Sequence, residues 1–261
     1  MTQETRPQPQ TLSSQLPAGA HPYSAPPEKI DIKEYGAAKN GVPQSSERRL
    51  FMQLHVFTEC LNPAEALKAL KASGEESVLY LDVNDPRGIG VLLMNEAPSF
   101  FTGKGREILT HPPFSSLKPR PELTMIGRTY SGGREADLED WLLEKPRRNV
   151  FNPELKWAVW YPLRRKSEFE LLSKEEQGKI LFEHARLGMS YGASGLAHDV
   201  RLACYGLDQN DNEFILGILS PDLHPLSRLV QDMRKTQQTA RYIQSLGPFF
   251  VGKVFFQSRS V

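Results

Sequence analysis

The sequence predicts an α+β fold: two ferredoxin-like βαββαβ halves packed as an α+β barrel of the dimeric type. Three observations predict it. The hydrophobic period switches between two and 3.6 residues in the order β-α-β-β-α-β, and that order occurs twice. Turn-forming clusters of Asp, Asn, Gly and Pro fall between the two central strands of each unit. Each unit leaves one sheet face uncovered by its own helices, and packing the two open faces together buries both.

Taken in order, residues 50–58 alternate, with Met52, Leu54 and Val56 on one face, and read as a strand. Asn62 as N-cap and Pro63 at the first helical position open a helix to residue 72. Strands over 78–83 and 89–94 flank the turn Asp85-Pro86-Arg87-Gly88, a helix covers 98–109, and a strand covers 123–130. The second unit has a strand at 157–163, a helix at 173–191 and a strand at 200–205. A turn at 208–212, a strand at 213–220, a helix at 225–234 and a strand at 249–256 complete it. The packed open faces are expected to enclose an interior that fits a flat ligand. Residues 1–27, rich in Pro, Gln, Ser and Ala, bury too little surface to offset ordering, and 28–48 are expected to lie across the surface. The expected division is a flexible arm over 1–48, an N-terminal half over 49–145 and a C-terminal half over 146–261.

Composition narrows the function. Lys and Arg number 32 against 31 Asp and Glu, a net charge of +1, which weighs against nucleic acid as the main partner. The two cysteines, Cys60 and Cys204, lie far apart without CxxC spacing, which fits a reducing cytosol and excludes a structural zinc site built mainly from thiolates. There is no apolar run of membrane-spanning length and no signal-peptide pattern at the start. A cytoplasmic protein without a membrane partner is expected.

Two groups of residues carry candidate chemistry. Ser173-Lys174-Glu175-Glu176 forms a capping box, and the helix behind it sets Ile180, His184, Leu187 and Tyr191 on one face. A histidine on such a stripe is either a core imidazole bonded to a backbone carbonyl or an axial ligand of a metal; both readings stand at this stage. His55, in mid-strand, and His111 and His224, beside prolines, are weaker candidates. The second group is Trp160-Tyr161-Pro162-Leu163-Arg164-Arg165, preceded by Lys145-Pro146-Arg147-Arg148. Its arginines are either a solvated edge or a clamp for carboxylates. Strand alternation puts Tyr161 and Arg165 on one face. An oxidisable phenol, cations for carboxylates and a neutral imidazole are the parts needed to hold an iron porphyrin and oxidise a group attached to it.

These residues resemble the chlorite-dismutase-like superfamily of haem proteins, and within it the coproheme decarboxylases. The resemblance spans most of 125–256. It rests on the Tyr-Pro-hydrophobic-x-basic motif at 161–165, the Glu-His-x-x-x-Gly segment at 183–188 with Tyr191, and Gly206-Leu207-Asp208 with Asn212-Glu213-Phe214. It rests also on Ala240-Arg241-Tyr242 and on the closing Gly247-Pro248-Phe249-Phe250-Val251-Gly252, its most specific motif. The resemblance implies that His184 is the proximal iron ligand and that Tyr161 forms the radical that takes hydrogen from a propionate. Arg165 would hold that propionate, and Arg147 or its neighbour Arg148 would bind another. It implies a hydrogen-peroxide-dependent decarboxylation of two propionates of Fe-coproporphyrin III to haem b, the porphyrin being substrate and cofactor together. A ferrochelatase upstream and a homopentameric assembly are implied by the same likeness. Relatives place a glutamine or an arginine thirteen residues after the axial histidine, where this chain has Ala197. The segment after His184 is about two residues longer than in many relatives, which makes Asp199 the alternative equivalent. His198 and Arg201 are the distal candidates. Chlorite dismutation, general haem peroxidase activity and non-catalytic haem binding are the competing functions.

Overall fold

The computed structural model describes residues 29–259; the expected arm over 1–27 lies outside the described residues. Strands β1 (Glu34–Lys39) and β2 (Val42–Ser46) pair as a hairpin. This corrects the expectation of a flexible arm as far as residue 48. The hairpin has little apolar surface, which is why composition hid it; polar contacts anchor it instead. Glu34 pairs with Arg128 at 2.9 Å, the Ala37 amide donates to the Glu135 carbonyl, and the Gln44 side chain bridges Glu135 and the Leu138 amide.

The N-terminal half follows with β3 (Phe51–Thr58), α1 (Pro63–Ser73), β4 (Ser77–Asp82) and β5 (Ile89–Asn95). Asn62 caps α1 through its side chain, and Gly74 ends it at φ +70°, a left-handed position that favours glycine. The helix expected over 98–109 is two pieces, α2 (Ser99–Thr102) and α3 (Lys104–Thr110), broken at Gly103. A short β6 (Lys118–Pro119) precedes β7 (Met125–Arg128). A π-helical turn, Asp140–Glu144, then runs into α4 (Lys145–Val150), so the basic run at 145–148 lies on a helix. The C-terminal half comprises β8 (Trp157–Arg165), α5 (Lys174–Ala193), β9 (His198–Ala203), β10 (Phe214–Ser220) and α6 (Leu223–Met233). A second π-helical turn, Gln238–Tyr242, leads to β11 (Ile243–Leu246) and β12 (Phe250–Ser258).

The strand order is β7-β3-β5-β4 in the first half and β12-β8-β10-β9 in the second, the same ferredoxin-like order twice. The halves join edge to edge into one closed ring. β4 pairs with β12 over a long register from Gly252↔Asp82 to Ser258↔Ser77, whereas β7 meets β9 at the single pair Arg128↔Ala203. Closure satisfies the strand edges that two separate sheets would leave open.

The ring has no room for a flat ligand, which corrects the expected location. Trp160, Tyr80 and Phe250 fill the interior with Met52, Leu54, Leu92, Val200 and Leu202. Glycines admit the rings: a Cβ on Gly217 would sit 2.5 Å from the Trp160 ring, and one on Gly90 would sit 2.4 Å from Phe250. Two further layers lie outside the ring. Helices α1 and α3 cover Phe57, Leu79, Val91 and Leu93. Helix α6, through Leu226 and Leu229, covers Val159, Tyr161, Leu163 and Ile218. None of the described helices is long and apolar enough to cross a membrane.

Candidate functional site

The candidate site lies outside the ring, between the C-terminal sheet and α5. That helix begins as the sequence predicts. The Ser173 hydroxyl accepts from the Glu176 amide, and the Ser173 amide donates to the Glu176 carboxylate. Ile180 is the only buried residue of its twenty, since α5 rests on α6 and the turn at 238–242. Along that contact the Gln237 amide donates to Glu183, the Tyr191 hydroxyl donates to Asp232, and Gly188 leaves space for the Met233 methyl.

His184 sits in this contact with Nδ1 3.2 Å from Thr236 Oγ1. The Thr236 hydroxyl donates its hydrogen to the Met233 carbonyl at 2.8 Å, so toward His184 it accepts. The network therefore assigns the proton to Nδ1 and leaves a lone pair on Nε2, which has no hydrogen-bond partner among the described residues. Burial, then the nearby Arg201 cation, push the imidazole down to about 4, so it is neutral at physiological pH. A neutral imidazole oriented by a hydroxyl is a competent metal donor.

The sheet presents the other wall. Strand pairing aligns Tyr161, Leu216 and Arg201 in one row and Val159, Ile218 and Asp199 in the next, with all side chains on the helix-facing side. Tyr161 is buried and stacks on Phe249 with ring centroids 4.7 Å apart; burial first, then Asp199, raise its phenol to about 12. Arg165, on the same face, lies between the Phe169 and Phe214 rings and contacts Glu213, Glu170 and the Tyr205 hydroxyl. Arg201 donates to Asp199 at 2.6 Å and keeps its side chain 41% exposed.

The remaining candidates point elsewhere. His198 pairs with Leu219, on the ring-interior side of the strand. Arg147 is buried against Glu76, with N–O distances of 2.9 and 3.1 Å, and donates to the Leu143 carbonyl. Arg148 forms an exposed pair with Asp140. Of the seven residues predicted for the site, the structure gathers His184, Tyr161, Arg165 and Arg201 around one layer; His198, Arg147 and Arg148 are held by other contacts.

Comparison with known proteins shows a family likeness over part of the chain and a recurring fold. Residues 143–255, which contain both walls, match the sequence model of the family described as Chlorite dismutase. Over that segment the chain is similar to the chlorite-dismutase-like superfamily. Its fold recurs in a haem-binding protein from Thermus thermophilus, at 18% identity over 79% of this chain and 91% of that one, with a TM-score of 0.62. It recurs in the chlorite dismutase of Candidatus Nitrospira defluvii in complex with imidazole, at 14% identity over 80% and 92% of the two chains, TM-score 0.61. A single-residue variant of that dismutase gives 15% identity over 82% and 93%, TM-score 0.63.

The sheet wall also carries a cluster that the sequence pattern alone did not assemble. Lys145 Nζ lies 3.9 Å from the Trp141 ring centroid and 3.5 Å from Asp199 Oδ1. The face of Trp141 also meets Arg201, and Tyr130 lies half-buried beside them. A water-sized cavity of about 10 Å³ lies among Tyr130, Trp141, Lys145, Asp199 and Arg201. The i, i+4 spacing of Trp141 and Lys145 was the available signal, but it becomes meaningful only once 140–150 is known to be helical.

Proposed function

We propose that this protein holds an iron porphyrin through His184 and uses hydrogen peroxide to decarboxylate the two propionates of Fe-coproporphyrin III, yielding haem b. The observation that carries the reading is Tyr161 and Arg165 on one sheet face, across the layer from the free Nε2 of His184. The donor set fits such a group: a neutral imidazole for iron, and an arginine fork flanked by aromatic rings for a carboxylate. The similarity to a haem-binding protein from Thermus thermophilus supports it.

Bound there, the iron porphyrin would supply oxidising equivalents drawn from peroxide. The protein's own residues do the rest. His184 would ligate the iron through Nε2 while Thr236 holds its ring. Tyr161, whose burial disfavours the phenolate, stays protonated and so gives up a hydrogen atom rather than a proton. Its radical would take one hydrogen atom from the propionate side chain; the second electron would pass to the peroxide-derived oxidant as the C–C bond to the carboxylate breaks, releasing CO2 and leaving the vinyl group. Arg165 would orient that carboxylate, giving up its exposed partner Glu170 while keeping Glu213. Arg147 and Arg148, committed to Glu76 and Asp140, contribute no propionate contact in this reading. A ferrochelatase as source of the substrate, a cytoplasmic setting and a ring-shaped homopentamer belong to the same proposal.

Arg201 favours a second reading, haem peroxidase or chlorite dismutase activity with permanently bound haem b, because it shares the Tyr161 face. Its ion pair with Asp199 restrains it. One experiment separates the two. Apoprotein is mixed with Fe-coproporphyrin III, titrated with peroxide, and the products are weighed by mass spectrometry. Two successive losses of CO2 plus two hydrogens support the decarboxylase; tight binding without mass change sinks it and favours the second reading.

A further inference from the structure

We propose that Asp199, braced by Lys145 and Arg201, is the proton acceptor of the sheet wall, taking the proton from an acidic ligand as it approaches the site. The inference rests on the reading that His184 holds an iron porphyrin. It adds the base that such chemistry needs.

The argument is by placement. An acceptor must stand on the wall opposite His184, and that wall is the helix-facing side of β8, β9 and β10. Asp199 is there, in the row of Val159 and Ile218, adjacent to the row of Tyr161 and Arg201. His198, the imidazole among the distal candidates, is on the other face of its strand. Arg201 stays protonated and so accepts nothing, and the Tyr161 phenol is already protonated. Among the described residues, Asp199 is the carboxylate that lies beside the water-sized cavity of this wall.

The surroundings keep Asp199 ionised, at a cost in basicity. Burial favours its neutral form, but Arg201 and Lys145 outweigh it and hold the carboxyl below its ordinary range. The Lys145 ammonium is itself pushed down, mainly by burial. The other titratable groups that act on Asp199 are Tyr130 after β7, Tyr161 on β8 and His184 on α5. The step is a proton transfer alone. The O–H bond of hydrogen peroxide breaks, its electron pair stays on the oxygen, and the proton forms a new O–H bond on the Asp199 carboxylate.

The test uses ferric haem-loaded full-length protein and two ligands read by the Soret band. Hydrogen cyanide must shed a proton to ligate iron, whereas imidazole need not. Asp199→Asn is expected to slow cyanide association about 100-fold at neutral pH, the scale of a lost general base, and to leave imidazole association unchanged. Asp199→Glu restores cyanide association. Lys145→Met removes a cation from the carboxylate, so the acid limb of the cyanide profile moves to higher pH. Unchanged cyanide kinetics in Asp199→Asn, or equal slowing of both ligands, overturns the proposal. Should Asp199→Asn fail to fold by circular dichroism, the other two variants decide: an unmoved acid limb in Lys145→Met overturns it. A wild-type protein that gives no Soret band on reconstitution overturns instead the iron-porphyrin reading beneath it.

Discussion

At the residue scale, His184 and Tyr161 owe their chemistry to burial more than to direct partners. His184 is neutral because the α5–α6 contact excludes water, and its tautomer follows from a threonine that has spent its own hydrogen on a carbonyl. Tyr161→Phe keeps the stacking on Phe249 and removes the hydrogen atom. It should bind Fe-coproporphyrin III with wild-type affinity and form no vinyl product, as measured by absorbance titration and mass spectrometry; full activity would remove the radical role. His184 also predicts a pH dependence. It and His55 both fall from 6.5 to about 4 in the folded state. Below 6.5 the unfolded chain takes up protons that the folded protein refuses, so stability declines as pH drops from 6.5 toward 4 and levels off below that window. Thermal unfolding across this range checks it, and His184→Gln should flatten part of the slope.

At the element scale, α5 and β8 show how much local pattern determines. The capping box, the stripe of Ile180, His184, Leu187 and Tyr191, and the alternation along β8 all appear as the sequence indicates. Pairing across strands determines the rest. Gly217 stands beside Trp160, and the missing Cβ is what lets the indole fill the ring. Gly217→Ala should therefore destabilise by about 1–3 kcal/mol, the usual cost of overpacking, read from urea unfolding midpoints. A neutral result would mean that Trp160 has another rotamer available. The hairpin at 34–46 and the helix at 145–150 escaped the sequence reading for related reasons. The first is held by polar contacts, and the second is short and mostly polar and follows a π-helical turn that breaks the 3.6 period.

At the scale of the whole molecule, closure of the ring decides where charge can go. Arg147 reaches from α4 to Glu76, just before β4, and so ties the segment between the halves to the N-terminal half. Both side chains are about nine-tenths buried, at 11% and 12% exposure. Arg147→Ala leaves a buried carboxylate without its main partner and should cost about 3 kcal/mol, the lower end for a broken buried pair because Glu76 keeps some access to water. Denaturant unfolding measures it, and porphyrin affinity should be unchanged. A loss of affinity without a loss of stability would return Arg147 to the propionate-binding role.

Much of this molecule was legible in one dimension. Period, caps and turns located most of the ring's elements, because each depends on neighbours within a few residues, and the motifs around Tyr161 and His184 named the residues on the two walls. What only the tertiary structure decided was which wall, and which company. The open faces of the two halves do not enclose a ligand; large rings seated over glycines fill them, and the site moves to the outer side of the sheet. Register, which shifts a whole strand's side chains when it slips by one residue, turned His198 inward and Asp199 and Arg201 outward and set Asp199 beside Lys145. Those facts depend on groups tens of residues apart meeting through ring closure, and a single chain's local pattern holds no signal for such a meeting.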